Sequence, residues 1–477
     1  MIRPFALAIL VAVPTACGAP QSAPASPSEP IHWLAGDHHI HSRYSVGWDD
    51  SVDPPSPIIA GEAIYPIPMN ARMARSYGLA WMVTTDHGGP NHSKVSLELS
   101  YPELLESRRV VPGLIQFFGL EFDPPGAEHA SLIVPHGHDE VTRLHDIESR
   151  FARREAWPAD TARDRPPLML EALRAMRAQT PRPIVIVNHP SRSATAVGVY
   201  GLNDPAELRD WNDAAPEVAV GMEGAPGHQA STLAPDGSLE PNAARGGYSR
   251  SPTLGGFDQM TARLGGFWDS MLGEGRRWWI TSTSDSHVHW REGGADFWPG
   301  EYSKTYVWAQ QTYDGILEGI RGGRVFVTTG DLVSELYVAV QSGGGRADIG
   351  ETLSVPSGAT VEITIRFLDP EGPNSRGDDP AVARVDLISG LVTGVRPDRS
   401  ADTNPTTRVV ARWASAEWSD DGPYRSVTYA WEDVTADAYV RVRGTNGAEL
   451  EPEPDLRGED PWSDLWFYSN PVFIEVR

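Results

Sequence analysis

Residues 36–42, Gly-Asp-His-His-Ile-His-Ser, set His39 and His41 two positions apart at the end of an apolar run that begins near Ile31. In a β-strand, residues two apart share a face, so both imidazoles reach one point beyond the strand's end. Two imidazoles aimed at one point begin a metal site. The pattern recurs along the chain. The apolar run 79–85 ends in Asp86 and His87, the run 114–120 ends at Glu121, and His129 precedes the run 130–134. The run 184–187 ends in Asn188 and His189, and 278–280 continues through Thr-Ser-Thr-Ser to Asp285 and His287. Imidazole and carboxylate suit zinc, manganese or iron, and a glutamate can bridge two ions. Singly, each residue has a plain alternative: a buried His satisfied by a carbonyl, or a carboxylate capping a turn. His39, His41, His87, Glu121, His129, His189, Asp285 and His287, all at the ends of apolar runs, together point to a metal centre.

The elements that must carry these residues alternate. Helical stretches are predicted over 69–78, closed by a glycine, and over 168–178, 266–273 and 313–320. Strands alternating with helices over residues 31–329 predict an α/β fold with parallel strands. Ligand-type residues at the C-terminal ends of those strands favour a barrel, which gathers strand ends around one mouth. An open doubly wound sheet is the alternative, and it would converge fewer of them. The insertion 224–265, rich in Gly, Ser, Pro and Ala, reads either as a lid or rim over the site or as a disordered excursion. Beyond Gly330, alternating segments at 335–341, 360–367, 383–388, 408–413, 426–431, 438–443 and 471–476 predict a C-terminal β-sandwich over 330–477. That segment contains no His, which assigns it to support or recognition; its Trp413, Trp418 and Trp431 read as core before they read as a sugar platform.

The motifs Gly-Asp-His-His-Ile-His-Ser, Thr-Thr-Asp-His, Gly-Leu-Glu, His129, Asn-His-Pro and Ser-Asp-Ser-His resemble, in order and spacing, those of the PHP (polymerase and histidinol phosphatase) superfamily of metal-dependent phosphoesterases. The resemblance covers residues 31–329 and implies a distorted (β/α)7 barrel with two or three divalent ions, zinc, manganese or iron. It implies that His39, His41, Glu121 and Asp285 hold a first ion, that Glu121 bridges to a second held by His129 and His189, and that His87 and His287 hold a third. Catalysis would fall to Glu121, Asp285 and His287 around a metal-activated hydroxide attacking a phosphomonoester or phosphodiester. One departure concerns the third ion: Val46 stands where the family often has Asp, and Asp49 is the expected substitute. His38 should point away from the ions by strand alternation, and Asp86 should orient its neighbours rather than bind metal. His92 and His289 are candidate proton donors to the leaving group. Arg192, Arg245, Arg250, Arg291 and Lys94 are candidate substrate-binding cations, against the plainer reading that they pair with surface carboxylates.

With 64 Asp and Glu against 40 Lys and Arg, the net charge of −24 disfavours nucleic acid as a partner. A small ester, expected to be phosphorylated, fits better. Arg3, the apolar run 5–13 and Cys17, the single cysteine, have the layout of a secretory signal over 1–17, of the lipoprotein type with Cys17 as lipidated residue. Residues 18–30, rich in Ala, Ser and Pro, read as a disordered tether. The expected location is therefore the periplasm, with the membrane reached only through the lipid. Two other functions fit the same residues: a metallohydrolase of carboxylic or carbamate esters, and an inactive module binding metal, glycan or protein.

Overall fold

The computed structural model describes Met1 and residues 30–477. Cys17 and the expected signal and tether lie outside the described residues. No helix among them is long and apolar enough to cross a membrane.

The chain forms a mixed α/β structure on one large sheet, with an antiparallel strand region at its C-terminal end. Ile31–Ile40 pairs parallel with Trp81–Thr84, which pairs parallel with Ile115–Phe122. Ala130–Ile133 then runs antiparallel to both Ile115–Phe122 and Ile184–Val187. Ala219–Ala225 and Trp279–Ser282 continue in parallel. The antiparallel strand matters for the site: Phe122 pairs with Ala130 and Ala130 with Val187. His129, at the start of its strand, therefore sits at the same sheet edge as Glu121 and His189, at the ends of theirs. On the other side of Ile31–Ile40 lies antiparallel Ser303–Gln310, then Val325–Thr329.

Helices form where the apolar spacing predicts them, at Ile67–Ser76, Pro166–Arg177, Phe267–Gly273 and Tyr313–Arg321. Pro166 opens its helix at a position whose N–H would have no intrahelical acceptor. Glu140–Phe151 and Pro205–Ala214 are further helices, the second capped by Asp204 accepting from the N–H groups of Ala206 and Glu207. Gly36 lets the Trp81 indole cross the first strand, since a Cβ there would lie 1.9 Å from Trp81 Cε2.

The sheet does not stop at residue 330. Val325–Thr329 pairs with Trp466–Ser469, and the ladder runs on through Ala438–Thr445 to Val472–Val476 and to Arg384–Leu391. A second sheet, all antiparallel, consists of Gly345–Ala347, Glu335–Ser342, Ala359–Leu368, Tyr424–Val434 and Ser419–Asp421. Ala359–Leu368 alternates buried residues with exposed or half-buried ones, and its Val361, Ile363, Ile365 and Phe367 share one apolar core with Val385, Leu387, Val440 and Val442 of the large sheet.

Candidate metal centre

The strand ends bring eight side chains to one place. Five imidazoles surround the Glu121 carboxylate: His39 Nε2 at 3.1 Å, His41 Nε2 at 3.5 Å, His87 Nε2 at 3.7 Å, His129 Nδ1 at 3.0 Å and His189 Nε2 at 3.1 Å. Asp285 Oδ1 lies 3.1 Å from Nε2 of both His39 and His41. The His287 ring stacks on His41 at 3.7 Å. His39, His41, Glu121 and Asp285 are all nearly inaccessible to solvent. Four overlapping ligand groups follow among the described residues: His39, His41 and Glu121; Glu121, His129 and His189; His41, His87 and His287; and His228, His287 and Asp296.

Their chemistry fits divalent cations. His39 and His41 turn their Nε2 atoms toward each other at 3.0 Å, with carboxylate oxygens alongside. Asp285 Oδ1 and His189 Nδ1 are buried without a hydrogen-bond partner. Lone pairs so opposed are stable around a proton or a metal ion. The electrostatics carry the same signature. Burial opposes charge on Glu121 and Asp285, yet His129 and His39 hold Glu121, and His228, His39 and Arg192 hold Asp285, well below the usual carboxylate range. Burial also opposes charge on His129, which Glu121 and Asp123 nevertheless raise to about 10. His41 is driven well below its ordinary value by burial and then by His287.

A surrounding layer fixes these rings. His39 Nδ1 lies 2.7 Å from Glu223 Oε1, whose other oxygen accepts the His189 backbone N–H at 2.6 Å. Asp37 accepts from the N–H groups of His39 and Ser284, tying the first strand to the loop that carries Asp285 and His287. Burial raises Asp37 to about 7. Asp86 acts as an orienting group: it accepts from Ser42, Ser45 and Ser100, and Ser45 Oγ lies 2.7 Å from His41 Nδ1. His38 points the other way, as alternation predicts, bonding Ser131 and Thr281 with its pKa lowered to about 4 by burial. His189, His228 and Asp285 have φ of 30°, 55° and 49°. Each such non-glycine residue costs about 1–3 kcal/mol, and the surrounding bonds hold them there.

Several expectations need correction. Asp49 stays on a surface hairpin, its Oδ1 accepting from Ser51 N–H and Oγ–H, and does not join the cluster. Glu62, in the same acidic loop, reaches the cluster instead, with Oε2 3.5 Å from His87 Nε2. His92 is spent on Glu148 and the Tyr44 carbonyl, and His289 on Glu301, so neither faces the cluster as a proton donor. Arg245 is buried, donating to Gln229 and Tyr302 beside Asp455 and Glu459. It anchors the insertion rather than lining a mouth. Arg250 and Lys94 face solvent, and Arg291 stacks on Trp290. Of the five candidate cations Arg192 alone touches the cluster, with Nη2 2.9 Å from Asp285 Oδ2.

The insertion 224–265 is ordered and supplies a residue that sequence reasoning passed over. His228 Nε2 lies 3.2 Å from Asp285 Oδ2, while its Nδ1 bonds Asp296, which also accepts the N–H groups of His287 and Val288. Gly227 permits that approach, since a Cβ there would lie 2.1 Å from Asp285 Cβ. Arg154 is a second overlooked cation, its Nε 2.6 Å from Asp123 and its Nη2 3.4 Å from His87 Nδ1. No protein-family model, curated protein or solved structure matches the chain.

Proposed function

We propose that this protein is a PHP-type metal-dependent phosphoesterase that hydrolyses a phosphomonoester or phosphodiester. The observation that carries the reading is the Glu121 carboxylate surrounded by five imidazoles within 3.0–3.7 Å, with Asp285 bridging two of them from the other side. A distorted barrel accords with the segment just beyond the last parallel strand reaching the first, where Ser286 forms an isolated bridge with Ile40 and its carbonyl accepts the His41 N–H.

His39, His41, Glu121 and Asp285 would hold one ion, Glu121, His129 and His189 a second, and His87, His287 and Glu62 a third. Divalent ions there supply Lewis acidity and a water acidic enough to attack near neutral pH. The chain's own residues do the rest. Arg192, whose Nε is buried without a partner, offers a guanidinium to phosphoryl oxygens, and Arg154 offers another across the cluster. His228, pinned through Nδ1 by Asp296, holds Asp285 through Nε2 and so orients that ligand. Export and lipid attachment through Cys17 belong to the same proposal, on the strength of the N-terminal residues.

The test combines elemental analysis of the purified chain with hydrolysis of a generic aryl phosphate, for the native protein and for Glu121→Ala and His189→Ala. Two or three ions per chain, lost together with turnover in both variants, is the expected result. Metal without phosphatase activity would redirect the reading to carboxylic or carbamate esters. No metal under any reconstitution would end it.

A further inference from the structure

Beyond His287 the chain turns through Trp290–Glu292 and, with the insertion and the C-terminal region, lines a cavity of about 370 Å³. That is within the roughly 300–1,000 Å³ of small-molecule sites. Trp290 and Trp462 contribute two indoles, only 6% and 8% exposed. Phe297 and Tyr302 meet Trp462 edge to face at 5.3 and 5.0 Å and hold its plane. Trp290 Nε1 is buried with no hydrogen-bond partner.

The charges around the cavity are unequally committed. Asp460 is taken by Arg376 at 2.6 Å, and Glu301 accepts from His289 and the Trp298 N–H. Arg291 stacks 4.2 Å from the Trp290 ring centre, is exposed, and has no carboxylate partner among the described residues, in a chain where acids outnumber bases 64 to 40. Indole faces take the C–H face of a sugar ring, surrounding polar groups take its hydroxyls, and a free guanidinium takes a carboxylate in two parallel bonds.

We propose that this cavity binds a sugar ring bearing a carboxylate, with the ring against Trp462 and the carboxylate on Arg291, whose guanidinium Trp290 holds in place. The site gives the C-terminal region, through Arg376, Asp460 and Trp462, a part in recognition that its lack of histidine leaves open. It is independent of the phosphoesterase reading.

The experiment is calorimetric titration of the full chain, stripped of metal by chelator, with D-glucuronate and with D-glucose. Arg291→Gln leaves the histidine cluster unchanged and so separates binding in the cavity from carboxylate binding at that cluster. The expected result is saturable glucuronate binding, glucose weaker by about tenfold or more, and Arg291→Gln lowering glucuronate to the glucose level, as loss of one charged hydrogen-bond partner requires. Trp462→Ala, which removes the indole that takes the ring, should weaken both sugars. No saturable glucuronate binding, glucose binding as tightly as glucuronate, or Arg291→Gln binding like the native chain would each overturn the proposal. Because binding is read without turnover, failure here leaves the hydrolase reading untouched.

Discussion

Glu223 touches no point where the imidazoles converge on Glu121, yet its two oxygens hold His39 Nδ1 and the backbone of His189. A carboxylate on Nδ1 fixes the tautomer that leaves Nε2 free to ligate, and losing such a partner typically weakens metal affinity about 10–100-fold. Glu223→Gln should therefore bind metal less tightly by that factor in a chelator competition, with an unchanged far-ultraviolet circular dichroism spectrum. Gly227→Ala should act by geometry instead. The new methyl would meet Asp285 Cβ, so the variant should lose metal even though no ligand was changed. At this scale the strand-end histidines were legible, because period-two alternation and the end of an apolar run fix both direction and place. Glu62 was not: it and Asp49 share one acidic, proline-rich loop, and only the path of that loop decides which carboxylate turns inward. His228 was hidden for the same reason, in a left-handed position of a long insertion with no periodicity to read.

The helix Pro205–Ala214 illustrates a conflict between local rules. An acidic residue in a first turn is ordinarily favoured by the helix dipole. Glu207 occupies that turn, but its Oε1 is buried without a partner, and burial, reinforced by Asp204, raises its pKa from 4.5 to about 8. The folded chain thus binds the proton more tightly than the unfolded chain. Stability from this group is present below about pH 4.5 and declines as pH rises toward 8. Glu207→Gln removes the decline, so its urea midpoint should exceed that of the native chain at pH 8 by more than at pH 5. An equal difference at both values would show that desolvation of this carboxylate is not the operative cost. The helix itself escaped a reading from apolar spacing, although Asp204-Pro205 is a good start signal. By contrast Ile67–Ser76 and Tyr313–Arg321 announce themselves by spacing and a following glycine.

At the scale of the molecule, the shift of composition near residue 330 suggests two independent bodies, whereas the hydrogen bonds join them. Asn470 bonds both N–H and C=O of Ile280, in the strand that leads to Asp285, and Thr253 and Gly255 of the insertion bond Asp455 and Glu453. Alternation within a strand reports which face is buried but not which distant strand is its neighbour, so this continuity had no sequence signature. The deepest link is Asp269, in the helix Phe267–Gly273, which accepts two bonds from Arg441 at 2.9 and 2.7 Å and one from Tyr439, all buried. Truncating one partner of such a pair leaves an uncompensated buried charge and costs about 3–5 kcal/mol. Asp269→Ala should lower unfolding free energy by that amount in urea. The double variant Asp269→Leu with Arg441→Met should recover most of it, because apolar groups of similar volume are often neutral replacements for a buried pair. If the link also positions the metal centre through the adjoining strand, Asp269→Ala should lose metal at a lower urea concentration than it loses helix. The double variant should restore one coincident transition, and failure to do so would separate the C-terminal region's structural role from the site.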